Sequence, residues 1–127
     1  MRILLVEDNP YIQEFIIFVL RREGHEVEAL ENGDVALGVY KGRKSPYDLV
    51  LTDMGHPGMD GVELAASIRL IDPSQCIALQ TGCADGIAAE LIKTHGVSGI
   101  PRIGKPFSAE QLLRFVGSVL ASAQKSQ

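Results

Sequence analysis

The stretch Ile3-Leu4-Leu5-Val6-Glu7-Asp8-Asn9-Pro10 decides the fold. Four consecutive apolar residues leave no polar face for solvent. The segment therefore reads as a strand buried on both sides, the place of a central strand in a parallel sheet covered by helices. Glu7 and Asp8 end the run, and Asn9 with Pro10 supplies a helix N-cap and a first-turn proline. The helix expected from there runs to about Arg22, with Ile12, Phe15, Ile16, Val19 and Leu20 on its inner face and Gly24 ending it.

The same alternation continues outward. Residues 26–30 alternate like a strand, Asn32 and Gly33 introduce a short helix through Val39, and residues 41–46 form a polar loop. Leu49, Val50, Leu51 and Thr52 make a third strand ending at Asp53, followed by a Gly- and Pro-rich loop over 54–60 and a helix from Gly61 to Leu70 closed by Asp72 and Pro73. Residues 76–80 give a fourth strand ending at Thr81, then a helix is expected from about Asp85 to His95, stopped by Gly96. Ile100 to Ile103 is a weak fifth strand broken by Pro101, and Lys105 and Pro106 follow it. Ser108, with Glu110 nearby, opens the last helix, whose inner face is Leu112, Leu113, Val116, Val119 and Leu120. Five strands alternating with five helices make a doubly wound α/β fold with a parallel sheet. Residues 1–121 are expected to form the domain, with 122–127 a polar, frayed tail.

Composition narrows the function. The 127 residues are the length of one ordinary domain, and 46% hydrophobic content supports a core without disulfide or metal staples. The net charge is −4, and it is uneven: residues 1–64 hold 6 basic and 12 acidic side chains, residues 65–127 hold 6 and 4. With no basic run, the chain is a poor direct binder of nucleic acid or of an anionic membrane. Cys76 and Cys83, without a CxxC pair or clustered histidines, read as reduced thiols rather than a disulfide framework or a zinc site. The N-terminal apolar run is too short for a signal-peptide core or a membrane span, so a cytoplasmic location is expected.

In a doubly wound sheet, ligands bind beyond the carboxyl ends of the strands. Here the first strand ends in Glu7 and Asp8, the third in Asp53, the fourth in Thr81, and the fifth runs into Lys105. Carboxylates brought together repel one another, each pair by about 4 kcal/mol at 4 Å with an effective dielectric near 20. Something positive has to sit among them, and hard oxygen ligands suit Mg²⁺. Asp53, on the central strand, is the best-placed nucleophile. A metal-held carboxylate beside an ammonium and a hydroxyl has the parts for phosphoryl transfer, and a phosphoryl group on Asp53 would find its new partners in Thr81 and Lys105.

The strings LLVEDN at 4–9, DMGHPGMDG at 53–61, Thr81-Gly82 and GKPF at 104–107 occur in the order and near the spacing of a known family. Over essentially its whole length the chain resembles a response-regulator receiver domain of two-component signalling. The resemblance implies a flavodoxin-like sheet of strand order 2-1-3-4-5 with five helices. It implies that Asp53 accepts a phosphoryl group from a histidine kinase or a histidine phosphotransfer protein. Mg²⁺ would be held by Glu7, Asp8, Asp53 and the backbone carbonyl of Gly55, and Thr81 and Lys105 would contact the attached phosphoryl group. Such a domain is a switch rather than an enzyme acting on other substrates. It would pass the signal to a downstream protein or effector domain through its fourth helix, fifth strand and fifth helix, with a phosphorylation-dependent dimer as one form of output.

Several positions depart from the family pattern. Arg102 stands three residues before Lys105, where receivers usually carry Tyr or Phe, and Pro101 with glycines at 96, 99 and 104 makes the surrounding stretch unusual. His56 takes a place where Met is common. Gly55 and Cys83, two residues beyond Asp53 and Thr81, are both small, which implies easier access of water to a phosphoryl group. Two other readings stay open. A Mg²⁺-dependent phosphohydrolase with an Asp nucleophile usually has a second Asp two residues on, where this chain has Gly55. A pseudo-receiver scaffold that is not phosphorylated is kept open by Arg102.

Overall fold

A computed structural model describes residues 1–55, 59–82, 90, 92–97 and 99–125. The first strand, β1 (Arg2–Val6), lies inside the sheet as its apolar run requires, with Ile3, Leu4, Leu5 and Val6 all at 0% exposure. It pairs in parallel with β2 (Glu26–Leu30) on one side and with β3 (Leu49–Asp53) on the other. Beyond β3 come β4 (Ile77–Thr81) and β5 (Arg102–Gly104), so the strand order is β2-β1-β3-β4-β5. Parallel neighbours need crossover connections, and helices supply them.

The caps read in the sequence at Asn9, Asn32 and Ser108 are in place, and the structure adds one at Asp60. Helix α1 (Pro10–Arg22) starts at Asn9, whose Oδ1 accepts from the N–H groups of Tyr11 and Ile12 at 2.9 and 3.2 Å. Helix α2 (Gly33–Lys41) starts at Asn32 in the same way, and α3 (Gly61–Ile71) at Asp60, which accepts from the Glu63 N–H at 2.9 Å. The C-terminal helix (Ala109–Lys125) opens on a reciprocal pair: the Gln111 N–H donates to Ser108 Oγ at 3.1 Å, and the Ser108 N–H donates to Gln111 Oε1 at 2.8 Å. That is a capping box, and the acceptor completing it is Gln111 rather than Glu110.

Alternation along the strands sorts the core into two layers. Ile3, Leu5, Leu49, Leu51 and Ala78 face α1 and the C-terminal helix, meeting Ile16, Leu20, Leu112 and Val116. Leu4, Val6, Val50, Ile77 and Leu79 face the other way, against Ala36, Tyr40, Leu64 and Ile68. No described helix is long and apolar enough to cross a membrane.

Three segments differ from the sequence reading. The fifth strand begins at Arg102 instead of Ile100, because Pro101 has no N–H to give the ladder; its carbonyl still accepts from the Leu79 N–H at 2.9 Å. The fourth strand begins at Ile77, one residue later than expected. The last helix does not stop before residue 122 but continues to Lys125, since nothing between Ser122 and Lys125 breaks a helix. Of the helix expected over 85–95, Glu90 and residues 92–94 are helical, and most of the remainder lies outside the described residues.

Candidate functional site

The strand ends meet as the topology demands. Glu7 follows β1 and is 0% exposed, Asp53 closes β3 at 8%, and Thr81 closes β4 at 3%. Asp8 is exposed at the rim. Lys105, one residue past β5, sends its ammonium back across the sheet. Its Nζ lies 2.9 Å from Glu7 Oε1 and 3.1 Å from Asp53 Oδ1, while its backbone N–H donates to the Thr81 carbonyl at 2.8 Å. The side chain that closes the site thus starts from a residue anchored on β4.

Local contacts fix the ends of β1 and β3. Glu7 Oε2 accepts from the Asn9 N–H at 3.1 Å, and the Glu7 carbonyl accepts from Gln13 Nε2 at 3.1 Å, so the first turn of α1 holds the end of β1. At β3 the Thr52 hydroxyl donates to the Asp53 carbonyl at 3.0 Å, and the Met54 N–H donates to the Gln80 carbonyl at 3.1 Å. Gly61 completes the support. Its N–H donates to the Met54 carbonyl at 3.2 Å, and a Cβ there would overlap the Asp53 carbonyl oxygen and stand 2.9 Å from both the Asp53 carbonyl carbon and Met54 Cα. Only a residue without a side chain lets α3 start against the end of β3.

The electrostatics are those of an under-neutralised anionic pocket. Glu7, Asp8 and Asp53 each place one carboxylate oxygen within 4.8 Å of the others, and among the described residues the ammonium bonded to the two buried carboxylates is that of Lys105. Burial pushes the Glu7 carboxyl above its usual range; the Lys105 and Asn9 hydrogen bonds pull it down, and the Asp53 charge adds to the rise. For Lys105, burial works against the ammonium, but the bonds and charges of Glu7 and Asp53 together outweigh it and hold the ammonium above its ordinary value. Three converging hard oxygens with surplus negative charge fit Mg²⁺, which takes few carboxylates and keeps several waters. Gly55, two residues beyond Asp53, is exposed, and a Cβ there would meet nothing within 4 Å.

Arg102 is exposed on β5 and does not enter the core. Cys76 is a half-buried free thiol whose pKa burial raises. His56 and Cys83 lie outside the described residues. Two contributors to the site's surroundings were not singled out from the sequence: Gly61, whose role is a backbone approach, and Gln80, the strand neighbour of Asp53. The β3–β4 register, which no local sequence signal sets, is what places Gln80 beside Asp53.

The family model described as the response regulator receiver domain matches residues 3–116. The chain belongs to the response-regulator receiver family. Among curated relatives, this receiver is 32% identical over 126 residues to the response regulator receiver protein CpdR of Brucella abortus, covering 96% of this chain and 98% of that protein. It is 32% identical over 125 residues to the transcriptional regulatory protein ResD of Bacillus subtilis, of which it spans 50%. It is 30% identical to the sporulation initiation phosphotransferase F of B. subtilis, covering 87% of this chain and 86% of that protein. Among solved structures, the CheY-like receiver from Methanospirillum hungatei superposes with a TM-score of 0.86 at 26% identity, covering 99% of this chain and 98% of that one. The receiver is a component of two-component phosphorelay signalling, a family of switches.

Proposed function

We propose that this receiver is a cytoplasmic switch that accepts a phosphoryl group on Asp53 from a histidine kinase or histidine phosphotransfer protein, with Mg²⁺ bound at Glu7, Asp8, Asp53 and the Gly55 carbonyl. The observation that carries the reading is the Lys105 ammonium, bonded at once to Glu7 and Asp53 at the carboxyl end of the sheet. In the transfer an Asp53 carboxylate oxygen attacks phosphorus, the P–O bond forms, the donor's P–N bond breaks, and the imidazole leaves with that electron pair. A bound Mg²⁺ supplies charge that offsets the phosphoryl oxygens. Lys105 contributes a positive charge and a hydrogen bond at Asp53, and Thr81, at the end of the neighbouring strand, offers a hydroxyl to the phosphoryl oxygens. The added charge then biases the segment after β4 and the surface around β5 and the C-terminal helix, where an output partner or a second copy would bind.

The test is incubation with Mg²⁺ and a small phosphodonor or beryllofluoride, followed by intact mass and NMR. An adduct is expected on the wild type and not on Asp53→Ala; no adduct on the wild type refutes the reading. Arg102, exposed where an inward-turning ring is usual, favours a second reading, an interaction scaffold independent of phosphorylation. Unmodified wild-type protein in that experiment would select it.

A further inference from the structure

Two of the described glutamines are buried, and they are treated differently. Gln75, 7% exposed, is fully engaged: its Oε1 accepts from the Tyr40 hydroxyl at 2.7 Å, and its Nε2 donates to the carbonyls of Tyr47 and Cys76 at 3.0 and 3.1 Å. Gln80 is 0% exposed, and among the described residues neither its Oε1 nor its Nε2 has a hydrogen-bond partner. A buried carboxamide unpaired at both ends carries the full desolvation penalty of each, and native structures hold few of them. A position that needed only packing would be filled better by Leu.

The location of Gln80 suggests what the amide is for. It is the register partner of Asp53 on β3 and of Ile103 on β5. Ala78, Leu51 and Leu5, each two residues before Gln80, Asp53 and Glu7, pack in a single layer, so alternation puts these three polar side chains on the same face. Paired strands lie about 4.8 Å apart, which leaves the carboxamide one side chain's reach from the Asp53 carboxylate. Lys105 leaves β5 and delivers its ammonium to Asp53 on β3 and to Glu7 beyond β1, so its stem has to cross the end of β4, which carries Gln80 and Thr81.

The oxygens that now hold Lys105 belong to the carboxylates a divalent cation would use. A divalent cation bound to the same carboxylates repels the ammonium at close range and shifts it from its present position. An ammonium has three donors, and once displaced within a buried site it needs a new acceptor. We propose that Gln80 is the positioning residue that receives the Lys105 ammonium, through Oε1, when a divalent cation enters the Glu7, Asp8 and Asp53 pocket. A neutral amide suits this better than a carboxylate, because it accepts the ammonium without holding it away from Asp53. The inference rests on the Mg²⁺ reading above.

The test is Mg²⁺ affinity, measured by calorimetric titration and by the Mg²⁺-dependent shift in melting temperature, on wild type, Gln80→Leu, Lys105→Met and the double variant. Gln80→Leu is expected to weaken Mg²⁺ about tenfold, to melt no lower than wild type without Mg²⁺, and to have no further effect once Lys105 is Met. Gln80→Met serves the same purpose if Gln80→Leu does not fold. Unchanged affinity in Gln80→Leu overturns the inference alone, as does an equal loss in both lysine backgrounds. A wild type that binds no Mg²⁺ overturns the inference together with the reading beneath it.

Discussion

Gly61→Ala tests how closely α3 is fitted to the end of β3. The new methyl would fall on the Asp53 carbonyl and against Met54 Cα, all backbone atoms that cannot rotate aside. Overpacking of this kind costs about 1–3 kcal/mol, with rigid neighbours placing it toward the upper end. The Gly61 N–H bond to Met54 would lengthen, costing about 1 kcal/mol more, while the gain in helix propensity returns up to about 1 kcal/mol. The expected net loss is about 2–3 kcal/mol. At roughly 2 cal/mol/K of unfolding entropy per residue, that lowers the melting temperature by about 8–12 °C. Gly38→Ala and Gly117→Ala provide the control, because both lie in helix interiors where a Cβ meets nothing within 4 Å. There the same change is expected to stabilise by about 0.5–1 kcal/mol. Thermal and urea unfolding followed by circular dichroism measure all three. If Gly61→Ala melts within about 2 °C of wild type, or shifts in the same direction as the controls, the argument from backbone contact is wrong.

Lys105→Met leaves Glu7 and Asp53 facing each other in a buried site, and the variant should be about 1–3 kcal/mol less stable near pH 7.5, a figure reduced because the lysine is partly exposed. Glu7 is raised above 4.5 in the folded state, so its contribution is present below that value and lost as pH rises through the folded pKa; without Lys105 the folded value climbs further, and the gap from wild type should narrow toward pH 5 in urea titrations. His25 has a buried Nδ1 with no hydrogen-bond partner among the described residues, and burial, with the nearby N-terminal ammonium, lowers its pKa below 6.5. Its contribution is present above pH 6.5 and lost as pH falls below it, so His25→Gln should flatten the decline in melting temperature between pH 7 and 5; an unchanged slope would contradict this. Mg²⁺ at a hundredfold over its dissociation constant should add about 2.7 kcal/mol to wild-type stability, and Asp8→Asn, at the exposed rim, should weaken the ion while leaving the metal-free melt within about 0.5 kcal/mol of wild type.

Much of the fold was legible because its signals are local. Ile3 to Val6 and Leu49 to Leu51 are unbroken apolar runs, and Asn9, Asn32 and Ser108 sit where caps belong. The site was legible as a set of residue types at strand ends, because a doubly wound sheet gathers those ends on one edge. Pairings were not. Nothing local says that Lys105 meets Glu7, whereas Ser108 and Gln111 have the local three-residue spacing of a capping box, which the reading of Glu110 passed over. Gln80 reads as the polar close of a short strand until the register of β3 against β4 places it level with Asp53. Pro101 blurred the start of β5 because only the ladder shows which residue first needs an N–H.

The bond between Lys105 and Glu7 joins residues 98 positions apart. During synthesis the acidic residues emerge early and remain a cluster of uncompensated charge until the last strand and its lysine leave the ribosome. The pocket is therefore among the last parts of the molecule to exist, and a fragment ending before residue 105 would carry Asp53 without the ammonium bonded to it. Assembly of the pocket is in this way tied to completion of the sheet through β5, whose following lysine supplies its ammonium.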